Sequence, residues 1–161
     1  MNLAAVHGDD IKNKTEYQRT NVGGAENVSK VCSEKKIYTL VFKSTVAVYG
    51  FAELGTDETG KIAPFNEYGR TKFLAEGILR AWQTKADNLL IIFRPTVIFG
   101  KDNRRNVFNL LSQIASVKFL MIGNGKNKKS MAYIANVVTF WEHALSVKVS
   151  MACLITPLNL I

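Results

Sequence analysis

The sequence is poor in the residues that build metal sites, disulfide frameworks and membrane spans. It contains two cysteines, Cys32 and Cys153, and two histidines, so we expect no metal site, no disulfide framework and a reducing, cytoplasmic environment. No apolar run approaches the roughly 18 residues of a transmembrane helix. The opening residues, MNLAAVHGDD, lack the basic start and long apolar stretch of a signal peptide. We therefore expect no membrane partner.

Low-complexity segments and internal repeats are also missing. The composition, 47% hydrophobic and 21% charged residues, is typical of a folded globular chain. The formal net charge of +8 raises the question of nucleic acid, but neither basic–aromatic alternation nor zinc-ligand spacing is present, so we expect no nucleic-acid partner. A basic surface equally suits an anionic small molecule, such as a nucleotide or a nucleotide sugar.

Strand-like and helix-like segments alternate along the chain, which predicts a parallel sheet with helices on its faces. The strongest strand signals are residues 36–44, KIYTLVFKS, and 88–95, NLLIIFRP, which are rich in β-branched and aromatic residues. A short strand is expected at 118–123. Helices are expected at 16–33, from Phe65 or Asn66 to about 85, at 107–116 and at 137–147, the last with Asn136 as its N-cap.

One predicted helix carries Tyr68 and Lys72 one turn apart, within FNEYGRTKFLAEGILRAW at 65–82. Positions i and i+4 share a helix face, so both side chains can reach one site. A nearby ammonium group favours the phenolate and would lower the pKa of Tyr68 from its usual value of about 10. Such a pair also occurs by chance in many helices, so its spacing alone does not establish a site.

Two hydroxyl residues, Ser44 and Thr45, end the first strong strand at its carboxyl end, where open α/β sheets place their ligand crevice. A hydroxyl group held opposite the phenol of Tyr68 can orient a substrate oxygen and stabilise charge developing on it. Serine and threonine after a strand are also common loop starters. In combination with Lys72, these residues predict a Ser/Thr–Tyr–Lys site for proton transfer.

The helix at 66–85 is expected to bury one apolar face. The residues expected to face the core are Phe73, Leu74, Gly77, Ile78 and Ala81, and those expected largely outside are Arg70, Glu76 and Arg80.

Three segments occur in order: VFKSTVAVYG at 41–50, PFNEYGRTKFLAE at 64–76 and RPTVIFG at 94–100. Together they resemble the extended short-chain dehydrogenase/reductase superfamily, in its nucleotide-sugar epimerase/dehydratase branch. The resemblance covers about residues 3–145. It implies an α/β fold, a partial Rossmann-like, doubly wound parallel sheet. It also implies an NAD-dependent nucleotide-sugar epimerase, similar to UDP-glucose 4-epimerase, in surface polysaccharide biosynthesis, with NADP as the other possible cofactor. Family members commonly form homodimers through a helix pair that includes the Tyr-Lys helix.

The resemblance also implies residue roles. Tyr68 is the catalytic acid/base, and Lys72 lowers its pKa and holds the nicotinamide ribose. Thr45 is the catalytic hydroxyl and Ser44 the weaker candidate, because adjacent strand residues point in opposite directions. His7 is expected in a loop near the site. The implied cofactor-binding residues are Ala4, Ala5, Asn21, Tyr68, Lys72, Pro95 and Val97, and the implied substrate-binding residues are Thr45, Asn106 and Val107. A plain helix cap is an equal alternative for Asn106.

Two departures from the family pattern affect the choice of reaction and substrate. Met131 and Ala132 stand where many epimerases carry Arg-Asp, which leaves Lys128 or Lys129 as the basic substitute. Val46-Ala47 stand where a dehydratase carries an acid/base pair. This favours an epimerase or a reductase over a dehydratase.

The sequence contains no G-x-x-G-x-x-G turn of the kind that binds a cofactor pyrophosphate, and we interpret Gly123–Asn124–Gly125 as an ordinary turn. We therefore expect residues 1–146 to be a partial, N-terminally truncated cofactor-binding domain with part of the substrate-binding region. Residues 147–161 are expected to be an atypical tail, produced by a reading-frame change or a truncation. The alternative to an enzyme is a non-catalytic remnant with weak or no cofactor binding.

Overall fold

The computed structural model describes residues 1–7, 13–104, 106–116, 123–126, 128–146 and 153–155. It divides into two compact units, Met1–Pro95 with Val149–Thr156, and Thr96–Lys148 with Pro157–Ile161. The strand predicted at 118–123 lies outside the described residues, apart from Gly123.

A parallel three-stranded sheet forms the centre of the first unit, in the order β1 (Thr39–Lys43), β2 (Leu89–Phe93) and β5 (Cys153–Ile155). β1 and β2 pair in register from Thr39 opposite Leu89 to Lys43 opposite Phe93. Asn2 adds a parallel bridge to Phe42 in β1. The two strong strand predictions are thus confirmed. β5 falls within the expected tail and pairs with β2, while residues 147–152 and 156–161 lie outside the described part of the chain.

The helix predicted at 16–33 is a continuous helical stretch with a π turn inside it. It consists of α1 (Lys14–Tyr17), the π turn Gln18–Val22 and α2 (Gly23–Glu34). The Tyr-Lys helix, α3, spans Glu67–Lys85, and the Asn66 side chain caps it by accepting a hydrogen bond from Gly69 N at 2.8 Å. The predicted start and end of α3 are confirmed.

The core of the first unit packs α2 and α3 against β1 and β2. Its buried members are Ala25, Cys32, Leu40, Phe42, Ala75, Leu79, Trp82, Leu90 and Ile92.

The prediction of the buried face of α3 is confirmed for Ile78, which packs against the core, and for Arg70, which is exposed. It is wrong for Gly77 and Ala81, which are exposed. Phe73 and Leu74 are each 38% exposed, whereas Glu76 is fully buried. The face of α3 that is buried is instead the one that carries Lys72. Its buried residues are Gly69, Thr71, Lys72, Ala75, Glu76, Leu79 and Trp82. The apolar pattern misleads because a charged residue, Glu76, is buried together with a partner of opposite charge, Arg94.

The second unit contains a two-stranded parallel sheet of β3 (Val97–Phe99) and β4 (Met131–Tyr133) with two helices, α4 (Asn106–Ala115) and α5 (Ile134–Ser146). The prediction of α4 is confirmed. Asn136 lies inside α5 rather than at its N-cap, so that assignment is wrong. β4 passes directly into α5 between Tyr133 and Ile134, without a separate capping residue. Within the described part of the chain, no helix is long and apolar enough to cross a membrane.

Candidate functional site

The residues after β1 form a short turn that fixes the position of Thr45. Thr45 is buried and extended, with φ −164° and ψ 149°, and its Oγ1 accepts a hydrogen bond from Ala47 N at 3.1 Å. This bond caps the 3₁₀ helix Val46–Tyr49. Ser44 N also donates to the carbonyl oxygen of Phe93 at 2.7 Å. The end of β1 is therefore held by hydrogen bonds on both sides of Thr45.

The phenol of Tyr68 lies close enough to the Thr45 side chain for that hydroxyl group to influence its pKa. Burial raises the pKa of the half-buried Tyr68, the hydrogen bond from Thr45 partly offsets this increase, and the nearby Tyr17 raises it further. The net result is a pKa above the ordinary value for tyrosine. The expected lowering of this pKa by Lys72 is wrong for the ligand-free chain.

The surroundings of Lys72 explain this difference. Its side chain is 1% exposed, and its Nζ atom lies 4.1 Å from the centroid of the Phe42 ring. Burial, and to a smaller extent Lys43, lowers the pKa of Lys72 while Glu76 raises it, and the net pKa is about 7. Lys72 is therefore only partly charged at neutral pH, so it does little to stabilise a phenolate.

A loop that precedes α1 is held against this site by Asn21, which the π turn places in the buried interior. Asn21 Oδ1 accepts from Val6 N at 2.9 Å, and Nδ2 donates to Val6 O at 3.2 Å and to Thr71 Oγ1 at 3.0 Å. The next residue, His7, has its ring centroid 6.4 Å from that of Tyr68 in an edge-on arrangement. Asn21 thus connects the His7 loop to the Tyr-Lys helix.

The remaining predicted residues of the first unit take several positions. Ala4 is exposed and its N–H donates to Asn2 Oδ1, while Ala5 is half-buried. Pro95 is buried, and its carbonyl oxygen accepts from Val46 N at 3.2 Å. The hydroxyl group of Ser44 donates to Glu76 rather than to Tyr68. Contacts of these residues with a ligand stay predictions.

The predicted residues of the second unit lie on two of its elements. Val97 begins β3, Asn106 begins α4, and Val107 follows in the first turn of α4, where it is half-buried. Their roles toward a cofactor or substrate also stay predictions. Among the described residues, no group of three or more His, Cys, Asp or Glu side chains is placed to hold a metal ion.

Sequence reasoning missed a buried polar group behind the strand end, made of Ser44, Tyr49, Glu76 and Arg94. A signal for it was present, because Glu76 follows Lys72 by four residues and so shares the face on which Tyr68 and Lys72 lie. Arg94 directly follows a strand whose last four residues are buried, where an unpaired charge would be costly.

Comparison with known proteins decides the family. The model of the NAD dependent epimerase/dehydratase family matches residues 1–152. The chain belongs to this family. The resemblance found in the sequence is therefore confirmed.

Two curated relatives illustrate the range of proteins to which this chain is similar. The N-acetyl-alpha-D-glucosaminyl-diphospho-ditrans,octacis-undecaprenol 4-epimerase of Escherichia coli O157:H7 is 47% identical over 145 residues, which cover 89% of this chain and 44% of the relative. The decarboxylating sterol-4-alpha-carboxylate 3-dehydrogenase of Saccharomyces cerevisiae is 32% identical over 139 residues, covering 82% of this chain and 39% of the relative. The chain thus spans less than half the length of either relative.

A solved structure shows the fold of this family. The UDP-glucuronic acid 4-epimerase of Bacillus cereus, in complex with NAD, superposes with a TM-score of 0.84 at 24% identity, covering 96% of this chain and 51% of that chain. This likeness confirms the predicted α/β, Rossmann-like fold class.

Proposed function

We propose that this chain carries the proton-transfer residues of an NAD-dependent 4-epimerase that acts on a sugar diphosphate. The observation that carries the proposal is the placement of Tyr68 beside Thr45 at the carboxyl end of β1, where α3 packs closely on the turn after Thr45, with the Lys72 amine on the same helix face. This is the crevice position that open α/β sheets use for ligands. Family membership and the 47% identity to a 4-epimerase support the choice of reaction.

The residues of the first unit fit NAD as the cofactor. Lys72 Nζ lies against the ring of Phe42, 4.1 Å from its centroid, on a side chain that is 1% exposed. Such a buried donor matches a ribose hydroxyl group. Lys72, Tyr68 and the loop with Ala4, Ala5 and Asn21 would hold the cofactor. When bound, NAD would supply the redox chemistry by accepting and returning a hydride at C4 of the sugar.

Tyr68 would move the proton of the sugar hydroxyl group, and Thr45 would orient that oxygen. Because the pKa of Tyr68 is raised, the phenol of the ligand-free chain is protonated at neutral pH. This state suits the return of a proton to the sugar oxygen. Removal of the proton in the first step requires the phenolate, so we expect turnover to increase as the pH rises toward the pKa of Tyr68.

The substrate class follows from the chemistry that the relatives share. The E. coli relative is named for a polyprenyl-diphosphate sugar and the B. cereus enzyme for a UDP sugar. Both place a diphosphate on the sugar, which suits a chain of net charge +8. We propose a nucleotide sugar as the substrate. The 47% identity favours a polyprenyl-diphosphate sugar as the second candidate. Either role belongs to surface polysaccharide biosynthesis, and we extend the proposal to a cytoplasmic homodimer on the family resemblance.

The test is an assay of C4 inversion with NAD, using UDP-N-acetylglucosamine in one arm and N-acetylglucosaminyl diphosphopolyprenol in the other. The product epimer is detected by NMR. Tyr68→Phe should abolish turnover without unfolding the chain, while Tyr38→Phe, at a tyrosine that is 62% exposed, should retain it. Equal turnover by Tyr68→Phe and the unmodified chain, or no product from either substrate, would overturn the proposal.

A further inference from the structure

Behind the end of β1 lies a buried network of four polar side chains. Arg94 pairs with Glu76 through two bonds, Nε to Oε1 at 2.9 Å and Nη2 to Oε2 at 2.6 Å. Ser44 Oγ donates to Glu76 Oε1 at 2.5 Å, and Arg94 Nη1 donates to the Tyr49 hydroxyl oxygen at 2.5 Å. Glu76 and Ser44 are fully buried, and Arg94 is 3% exposed. Every member is therefore bonded inside the protein.

Stability alone does not account for this network. Removing two charges from water is costly, and replacing a buried ion pair with apolar residues of similar volume is often neutral or stabilising. The helix α3 already buries Ala75, Leu79 and Trp82 in the same core. The effect of Glu76 and Arg94 must then be sought in the geometry that they impose on their neighbours.

The network fixes the strand end that presents Thr45. Ser44 precedes Thr45 in extended backbone, so the two side chains point in opposite directions, Ser44 toward Glu76 and Thr45 toward Tyr68. Arg94 is followed by Pro95, whose carbonyl oxygen accepts from Val46 N. The residues that carry the network are thus the direct chain neighbours of those that hold Thr45.

The same network fixes α3. Tyr68, Lys72 and Glu76 succeed one another at intervals of four residues, so they lie along one stripe of the helix. The bond between Glu76 and Ser44 ties that stripe to the end of β1, two turns away from Tyr68. Rotation or sliding of α3 would break this bond and would separate Tyr68 from Thr45.

We propose that Glu76 is a positioning residue, which, bound to Ser44 and Arg94, holds α3 and the end of β1 in the register that keeps Thr45 beside Tyr68. The proposal rests on the proposed function only in treating the Thr45–Tyr68 pair as the reactive one. Nothing in it requires a bound substrate or cofactor.

The test measures the pKa of the Tyr68 phenol in the ligand-free chain, by ¹³C NMR at the ring carbon bearing the hydroxyl group. Tyr68→Phe assigns the signal. Ser44→Ala removes the bond from the strand end to Glu76 and leaves the ion pair with Arg94 in place. We expect an upward shift of the Tyr68 pKa, because Thr45 loses the alignment that lets its hydroxyl group stabilise the phenolate.

The matched control is Asn88→Ala, which removes a buried bond from Nδ2 to Trp82 O at 3.0 Å, beyond the last turn of α3. It should destabilise the chain but leave the Tyr68 pKa unchanged.

Ser44→Cys is a second test variant, near in volume to serine and a weaker donor. It should fold where Ser44→Ala fails, and it should give a smaller upward shift of the Tyr68 pKa. An unchanged pKa in the folded Ser44 variants, or an equal shift in Asn88→Ala, would refute the positioning role. Failure of the epimerase assay would leave this readout unaffected.

Discussion

Lys72 Nζ lies over the ring of Phe42, 4.1 Å from its centroid, in surroundings where burial is the largest influence on its pKa. The lysine that we propose to act beside Tyr68 is therefore held in the ligand-free chain as an amine of low basicity. Two charged residues also affect the pKa of Lys72: Lys43 lowers it and Glu76 raises it.

We predict that Lys72 makes the stability of the chain depend on pH. Its pKa is lowered from 10.5 to about 7 in the folded state, so between these values the unfolded chain binds more protons and the free energy of unfolding rises with pH. The cost of burying the charge is fully present below pH 7, and this shift corresponds to about 5 kcal/mol as an upper bound. Lys72→Met should remove this increase of the free energy of unfolding with pH, as measured by urea unfolding between pH 7 and 10.5.

Lys85→Met is the control for Lys72→Met, because Lys85 lies on the exposed last turn of the same helix. The free energy of unfolding of Lys85→Met should depend on pH in the same way as that of the unmodified chain. A Lys72→Met variant whose stability relative to the unmodified chain stays constant from neutral to alkaline pH would show that Lys72 does not titrate as described.

Thr45→Val should raise the pKa of Tyr68 further, because the hydrogen bond from Thr45 is the one interaction identified as lowering it. Titration of tyrosinate absorbance, with Tyr68→Phe as the reference for the other tyrosines, measures the shift. Thr84→Val serves as control, since Thr84 is exposed and its hydroxyl group bonds only to Ala81 O in its own helix. A Tyr68 pKa that does not move in Thr45→Val would contradict the contact.

Gly69 and Gly77 make a matched pair on α3. A Cβ atom at Gly69 would lie 2.9 Å from the backbone carbonyl carbon of Ala47 and closer still to its oxygen, whereas nothing lies within 4 Å of one at Gly77. We expect Gly69→Ala to destabilise the chain by about 1–3 kcal/mol and to push α3 away from the turn after Thr45. Gly77→Ala should stabilise it by about 0.5–1 kcal/mol. Equal effects of the two substitutions on urea unfolding would contradict the close approach.

These contacts show where sequence reasoning succeeded and where it failed. Asn66 as a cap and the spacing of Tyr68 and Lys72 are local signals, so the limits of α3 and the shared face could be predicted. Glu76 could not be placed inside, because its partners Arg94 and Ser44 stand 18 and 32 residues away in sequence. An unpaired carboxylate on a helix is normally exposed.

The prediction of a lowered Tyr68 pKa failed for a related reason. The sequence supplies a lysine at i+4, which by itself favours the phenolate. It does not show how deeply either group is buried, and burial is the largest cause in both residues. The π turn that directs Asn21 inward is also set by tertiary packing, with no sequence signal of its own.

Asn21 provides the last prediction, which concerns the loop that carries His7. Asn21→Ala would leave both backbone groups of Val6 and the Thr71 hydroxyl group without this partner. We expect a loss of about 1–3 kcal/mol in the free energy of unfolding. Because the bond from Val6 N is local, its amide should also exchange with solvent about tenfold faster, which corresponds to about 1.4 kcal/mol.

Hydrogen exchange followed by NMR separates this local release from general destabilisation. The Val6 amide should lose protection in Asn21→Ala while amides of Leu90 and Ile92, in the central strand β2, change only as far as global stability falls. Asn27→Ala, at an exposed position of α2, should leave Val6 protected. If Val6 exchanges at its original rate in Asn21→Ala, the loop is held by something other than this amide, and the ordering of His7 beside Tyr68 must be attributed to another contact.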